Sequence, residues 1–240
     1  MHHIYGINMA VKHNITQIKG RYVMRKTHIK TLIIAMSLSL FGCKEYLQDH
    51  SINKSSTITD VVQADIVEGV QYTVLSKPLV AFPKNHVLEY FWYGCPHCYT
   101  ADPVIAKWSK ENSIPVEKRH SMLSDNWAGD ARVFYTLKEM GLTETVGSEY
   151  FSLRQNFMNS QEASIKKALE KHNKSFSDYD ARSRDGSVEM AMTINKLVEG
   201  TTGAQGTPSF IVSGKYLINM EKMHSWKEVT SVAEYLIRKK

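Results

Sequence analysis

Val87-Leu-Glu-Tyr-Phe-Trp-Tyr-Gly-Cys-Pro-His-Cys-Tyr99 decides the reading of this 240-residue chain. Its first seven residues are nearly continuous in apolar and aromatic side chains, as a strand buried on both faces requires. Gly94 ends the run. A helix can start at Cys95, with Pro96 in its first turn, where a missing N–H is harmless, and continue to Lys110 with a bend at Pro103. Two thiols at this spacing on a first helical turn can close a disulfide with little movement. The unpaired N–H groups and the positive end of the helix dipole favour a thiolate on the first sulfur, and His97, protonated or donating, adds to that stabilisation. A stabilised thiolate stabilises the reduced form and so makes the disulfide a stronger oxidant. Cys95 is the expected nucleophile and Cys98 the more buried resolving partner.

Outward from this stretch, Gln71–Leu75 reads as a strand before it and Ile114–Met122 as a strand after it. The strand, helix, strand order of Val87 to Met122 suggests a βαβ unit. Residues 128–199 then change period. Ala131, Phe134 and Leu137 lie at helical spacing with Gly141 as a stop, and Val146 to Phe157 is a second helix. Asn159 and Glu162 form a capping pair ahead of Ile165, Ala168 and Leu169. Ser187 to Val198 places Met190, Ala191, Ile194, Leu197 and Val198 on one face, read as core of an all-helical block. The β pattern returns at Ser209–Val212 and Lys215–Ile218, which flank a Ser213-Gly214 hairpin turn. Ser225 and Glu228 cap a last amphipathic helix carrying Trp226, Val229, Val232, Leu236 and Ile237.

A second motif, Gly206-Thr207-Pro208-Ser209, sits just before a strand. Proline removes a ladder donor there, and a cis Thr207–Pro208 bond in a tight turn would bring this segment against the cysteine pair. Two bland readings of the pair carry less weight. Zinc needs four ligands, and no second Cys-x-x-Cys or His-x₃-His exists to complete them; the six histidines beyond Gly42 (His50, His86, His97, His120, His172 and His224) are scattered. As a structural staple the pair closes a loop too small to constrain the unfolded chain. No metal site is expected.

The formal net charge of +6 is confined to the leader. Residues 1–42 hold six Lys and Arg and no Asp or Glu, so the remaining chain carries 24 residues of each sign. No basic body exists to grip phosphates, and nucleic acid is not an expected partner. Arg25, Lys26 and Lys30 precede an apolar run of twelve residues, Thr31 to Gly42. That is short for a membrane span and typical of an export signal. Leu40-Phe-Gly-Cys43 resembles the bacterial lipobox, which implies cleavage before Cys43 and a lipid on its thiol. Met24 opens a complete signal start by itself, so translation is expected to begin there. The polar stretch 43–66 reads as a tether, and export makes an oxidised cysteine pair sustainable.

With both motifs in place, residues 68–240 resemble the DsbA-type thiol:disulfide oxidoreductases of the thioredoxin superfamily. Cys95-Pro96-His97-Cys98 is similar to that family's active-site tetrapeptide, and Gly206-Thr207-Pro208 to its substrate-binding cis-proline loop. The resemblance implies an α/β, thioredoxin-like fold in two pieces, 67–127 and 201–240. A helical domain, 128–200, is inserted between its βαβ half and its cis-Pro ββα half. It also implies that Glu89 is the buried acid beneath the active site, able to move protons for Cys98, with Lys118 its partner on the neighbouring strand. Trp92, Tyr93 and Trp108 are candidates for a substrate groove or for plain packing. Thr207 is a departure, since the best-known oxidases have Val before the proline and isomerases often have Thr. The short tether offers no N-terminal dimerisation domain of the isomerase kind, so a monomeric oxidase is expected. Its implied partners are reduced, exported polypeptides and a DsbB-like membrane reoxidase, with no dissolved cofactor, on the periplasmic side of a bacterial membrane. The alternatives are a reductase or isomerase, and a thioredoxin-fold module that binds metal or delivers copper.

Overall fold

The computed structural model describes residues 66–156 and 160–239. The leader, Met24, Cys43 and the tether up to residue 65 lie outside the described residues, as do Phe157 and Asn159. Five strands form one mixed sheet: β1 (Tyr72–Val74), β2 (Val87–Phe91), β3 (Val116–His120), β4 (Ser209–Val212) and β5 (Tyr216–Ile218), in the order β1-β5-β4-β2-β3. β2 and β3 run parallel, joined by helix α1 (Pro96–Asn112), while the other pairings are antiparallel. Every residue of β2 is buried, as its unbroken apolar run requires. The strand stops at Phe91, two residues before the expected end, because Trp92 and Tyr93 enter a turn in which Cys95 N–H donates to the Trp92 carbonyl at 3.0 Å.

Helix α1 lays Cys98, Ala101, Ile105 and Trp108 inward at three- and four-residue spacing. With helix α7 (Trp226–Arg238) it covers one face of the sheet, burying Val87, Phe210, Val212, Val229 and Leu236 in one cluster. Ser225 accepts the Glu228 N–H as the expected cap of α7. The β4–β5 hairpin turns through Ser213 and Gly214, both at positive φ (55° and 62°), the pattern of a tight primed turn. A side chain at Gly214 would also meet the Phe82 Cβ at 2.8 Å.

Between β3 and β4 the chain forms α2 (Ala128–Glu139), α3 (Ser148–Arg154), α4 (Gln161–Lys171), α5 (Phe176–Ser183) and α6 (Gly186–Glu199). A wide helical turn over Thr143–Gly147 precedes α3, so the expected helix from Val146 is shorter and differently wound at its start. The cap of α4 is Ser160, which accepts the Ala163 N–H, one residue later than the expected Asn159. Helix α5 was not anticipated; Ser175 caps it by accepting from Asp178 N.

The largest departure is the phase of α6. Met190, Ile194 and Leu197, expected in the core, are 64%, 54% and 68% exposed. The buried face is instead Val188, Met192, Asn195 and Glu199. Its two polar members meet main-chain partners: Asn195 Nδ2 donates to the His120 carbonyl at 2.9 Å, and a Glu199 carboxylate oxygen accepts Met122 N–H at 2.6 Å. Those bonds rotate the helix away from its most apolar side. Replacing Ile194 or Leu197 with Ser should therefore change unfolding free energy by less than about 0.5 kcal/mol. Asn195→Ala, which strands a buried carbonyl, should cost about 1–3 kcal/mol in urea denaturation.

Candidate active site

The two cysteines sit where the end of β2 meets α1, inside the cluster that also buries Phe91, Tyr93, Phe134, Tyr150 and Phe151. Both are free thiols. Cys95 is the N-cap of α1, in extended conformation (φ −87°, ψ 114°), and Pro96 takes the first helical position. The Cys95 sulfur accepts the Cys98 N–H at 3.3 Å, so a thiol does what a Ser or Asp oxygen usually does at this position. Gly94 allows the approach, since a side chain there would meet the Trp92 ring at 2.3 Å.

Hydrogen bonding from the Cys98 thiol holds the Cys95 thiol down at about 6, against the opposing effect of burial; Thr207 and the N–H groups of Cys98 and His97 add to it. Burial pushes the Cys98 thiol far above the ordinary range, and the Cys95 sulfur beside it works in the same direction. One turn of helix thus separates an easily ionised sulfur from one that keeps its proton. His97 is exposed, and its contribution to Cys95 comes through its backbone N–H.

The Thr207–Pro208 bond is cis. This loop lies against the active site: the Cys95 thiol donates to the Thr207 carbonyl at 3.4 Å. Half-buried Gly206 is tied in through its carbonyl, which accepts from the Ser209 hydroxyl at 2.7 Å. Beside the loop a groove of about 590 Å³ is lined by His97, Thr207, Pro208, Met220, Met223 and Trp226. The two methionines and Trp226 are additions to the site. In the sequence, Trp226 reads only as helix core, and the methionines sit in a short helical turn with no period to flag them. The other aromatic candidates are packing residues. Tyr93 and Trp108 are buried, Trp108 donating to Glu234 at 2.8 Å, and Trp92 stacks on Trp127.

Behind the cysteines, Glu89 is 1% exposed on β2, directly opposite Lys118 on β3. The ammonium stands 3.9 Å from the Glu89 carboxylate and bonds Asp102 of α1. Neither Glu89 oxygen has a hydrogen-bond partner among the described residues. Burial lifts its pKa to about 7; Lys118 opposes that shift, and Asp102 and Cys95 reinforce it. Burial works against the charge of Lys118, but Glu89 and Asp102 prevail and hold its pKa above the ordinary value. Asp102 escapes sequence reasoning because an acid at mid-helix reads as solvated surface. All three charges line a cleft of about 410 Å³.

Among the described residues no three His, Cys, Asp or Glu side chains converge as a metal site, and no helix is long and apolar enough to cross a membrane. The arrangement can carry out thiol–disulfide exchange: an ionisable sulfur, a protonated neighbour, and a loop carbonyl at bonding distance.

No family model matches the chain. It is similar to the thiol:disulfide interchange protein DsbA of Pseudomonas aeruginosa, 28% identical over 222 residues that cover 88% of this chain and 95% of that protein. DsbA of Burkholderia cepacia is 26% identical over 201 residues, covering 78% and 92%. The crystal structure of Pseudomonas aeruginosa DsbA matches at a TM-score of 0.64 and 26% identity, covering 72% of this chain and 94% of that one. Likeness over the whole fold coincides with a cysteine pair whose two thiols are pushed apart in acidity, and the chain is a thiol:disulfide oxidoreductase, similar to the DsbA proteins, with a thioredoxin-like fold and a helical insertion.

Proposed function

We propose that the protein introduces disulfide bonds into reduced, exported polypeptides through Cys95 and Cys98. The observation that carries this reading is the position of Cys95, capping α1 through Cys98 N–H while bonded to the cis-proline loop. A substrate thiolate attacks the Cys95 sulfur of the enzyme disulfide. The Cys95–Cys98 bond breaks, a mixed disulfide forms through Cys95, and the Cys98 sulfur leaves with the electron pair. Its high proton affinity calls for a proton, and Glu89, titrating near neutrality, is suited to deliver it from the cleft. A second substrate thiolate attacks the substrate sulfur and expels Cys95 as the thiolate that the helix terminus stabilises. Two electrons then rest in the enzyme dithiol. A membrane reoxidase of the DsbB kind must remove them, and no dissolved cofactor is required.

Gly206, Thr207 and Pro208 supply the substrate contact, with main-chain groups beside the proline holding an extended chain by strand-like hydrogen bonds. That mode tolerates many sequences. The groove of Met220, Met223 and Trp226 offers apolar contact next to it. We assign residues 67–127 and 201–240 to the redox domain and 128–200 to the inserted helical domain. The leader, ending Leu40-Phe-Gly-Cys43, supports export and lipid attachment on the periplasmic side of a bacterial membrane, with the protein working as a monomer.

Oxidised protein should cross-link reduced ribonuclease, and Cys95→Ser should lower the rate to the uncatalysed level. Glutathione titration should give an oxidising couple. A strongly reducing couple with efficient insulin reduction would instead make the protein a reductase or isomerase, the direction to which Thr207 points.

The raised pKa of Glu89 sets a pH dependence. Between about 4.5 and 7 the folded chain keeps a proton that the unfolded chain has lost, so folding stability falls as pH rises through this window. The full effect is on the order of 3 kcal/mol. Glu89→Gln should remove that slope and be more stable than the parent at pH above 7, while slowing Cys98 release in single-turnover assays.

For the anchor, intact-mass measurement should find a mature chain beginning at Cys43 with added acyl mass. Cys43→Ser should release the protein from membranes.

A further inference from the structure

Tyr93, two residues ahead of Cys95, is gripped at both main-chain polar groups. Its N–H faces His120 Nε2 at 3.3 Å, and its carbonyl accepts from Gln155 Nε2 at 2.8 Å. The grips come from different parts of the fold: His120 ends β3, and Gln155 follows α3 in the helical insertion. A main-chain amide can only donate, so Nε2 must be the unprotonated ring nitrogen. Nδ1 then carries the hydrogen and donates to the Ser121 carbonyl at 2.9 Å. The ring is wholly buried, with Phe91 and Tyr93 centred 5.3 and 5.5 Å away, and burial pushes its pKa down to about 4. It is therefore neutral wherever a thiol exchanges at a useful rate, and its acceptor is always available.

The consequence reaches Cys95 through a short lever. Cys95 N–H donates to the Trp92 carbonyl at 3.0 Å, closing a turn with Tyr93 and Gly94 at its centre. Fixing the main chain of Tyr93 fixes the direction from which Cys95 enters α1. That direction keeps its sulfur 3.3 Å from Cys98 N–H. A third restraint acts on the same turn, since Trp92 Nε1 donates to Asp130 of α2 at 2.8 Å.

We propose that His120 and Gln155 are positioning residues for Cys95, clamping Tyr93 between the β-sheet and the helical insertion so that the exchanging sulfur stays on the helix terminus. The clamp touches no reacting atom. It rests on Cys95 being the exchanging thiol, and it adds that the helical insertion takes part in setting that thiol's acidity.

The test is the thiolate titration of Cys95 in the reduced full-length chain, followed by ultraviolet absorbance, with the reduction potential measured alongside. His120→Leu should raise the Cys95 pKa by about one unit, a tenfold weaker acid, and make the disulfide less oxidising by about 30 mV. His120→Gln, whose amide oxygen reaches the Nε2 position, should restore the parent value. Gln155→Ala should shift Cys95 the same way by a smaller amount. Leu236→Val, a core change in α7, should lower stability and leave the titration where it was.

A folded His120→Leu chain with Cys95 at the parent value overturns the clamp. Should the leucine variant not fold, Gln155→Ala decides, and an unmoved titration there has the same consequence. An equal shift in Leu236→Val would also overturn it, because general loosening would then explain the effect. Failure of the underlying reading is distinguishable: Cys95→Ser would retain exchange activity, whatever the clamp variants do.

Discussion

A helix leaves the first few of its amide hydrogens without partners, and here a sulfur takes one of them. Cys95 stands at that terminus with Cys98 N–H 3.3 Å from its Sγ, and the Cys98 thiol donates to it as well. Each contact favours charge on Cys95. For Cys98, three residues on and facing the core, a main-chain hydrogen bond with Trp92 is outweighed by burial. The asymmetry favours the reduced couple, because the dithiol left after the second exchange holds its charge on the sulfur prepared for it, Cys95. In the proposed cycle the cis-proline loop then has only to present a polypeptide at the same point, which it reaches through the Thr207 carbonyl.

The helical insertion belongs to this arrangement physically as well as topologically. Cys95 and Cys98 are buried in the cluster built largely from α2, α3, α4 and α6 rather than in the cluster between α1, α7 and the sheet. Dehydration of Cys98, the largest cause of its reluctance to ionise, is thus supplied in part by residues that a bare sheet-and-two-helix core would lack. The insertion also carries the side chains that hold the preceding turn, Gln155 on Tyr93 and Asp130 on Trp92.

What the sequence disclosed follows from how local the constraint is. Pro96 at the first helical position, Gly94 under the Trp92 ring, the Ser213-Gly214 turn and the Ser225 cap each act within a few residues, and each can be read where it stands. The parallel pairing of Glu89 with Lys118 was legible through the family resemblance, because it follows once the strand order is known. The phase of α6 was not. Hydrophobicity places Met190, Ile194 and Leu197 inward, but Asn195 and Glu199 find main-chain partners around the end of β3, 75 and 77 residues earlier in the chain. No periodicity in α6 can announce an acceptor in another element. Asp102 and His120 were missed for the same reason: their roles lie in what faces them across the fold.

Two buried carboxylates flank the site, and comparing them explains why one suits proton transfer. Asp130 is surrounded by donors: Trp92 Nε1, the Tyr150 hydroxyl and the Arg154 guanidinium all bond it. Burial alone would raise its pKa, yet those bonds hold it below the ordinary carboxylate range, so it stays charged and serves as a fixed anchor. Glu89 is as deeply buried, but the Lys118 ammonium lies 3.9 Å away and shares its charge with Asp102. With no donor among the described residues committed to either oxygen, neither protonation state is locked, and burial lifts the pKa to about 7. A carboxylate stabilised as Asp130 is could neither give nor take a proton at working pH. The incomplete solvation of Glu89, unfavourable for folding once it ionises, is the property that suits it to the proton exchange with Cys98 in the proposed cycle.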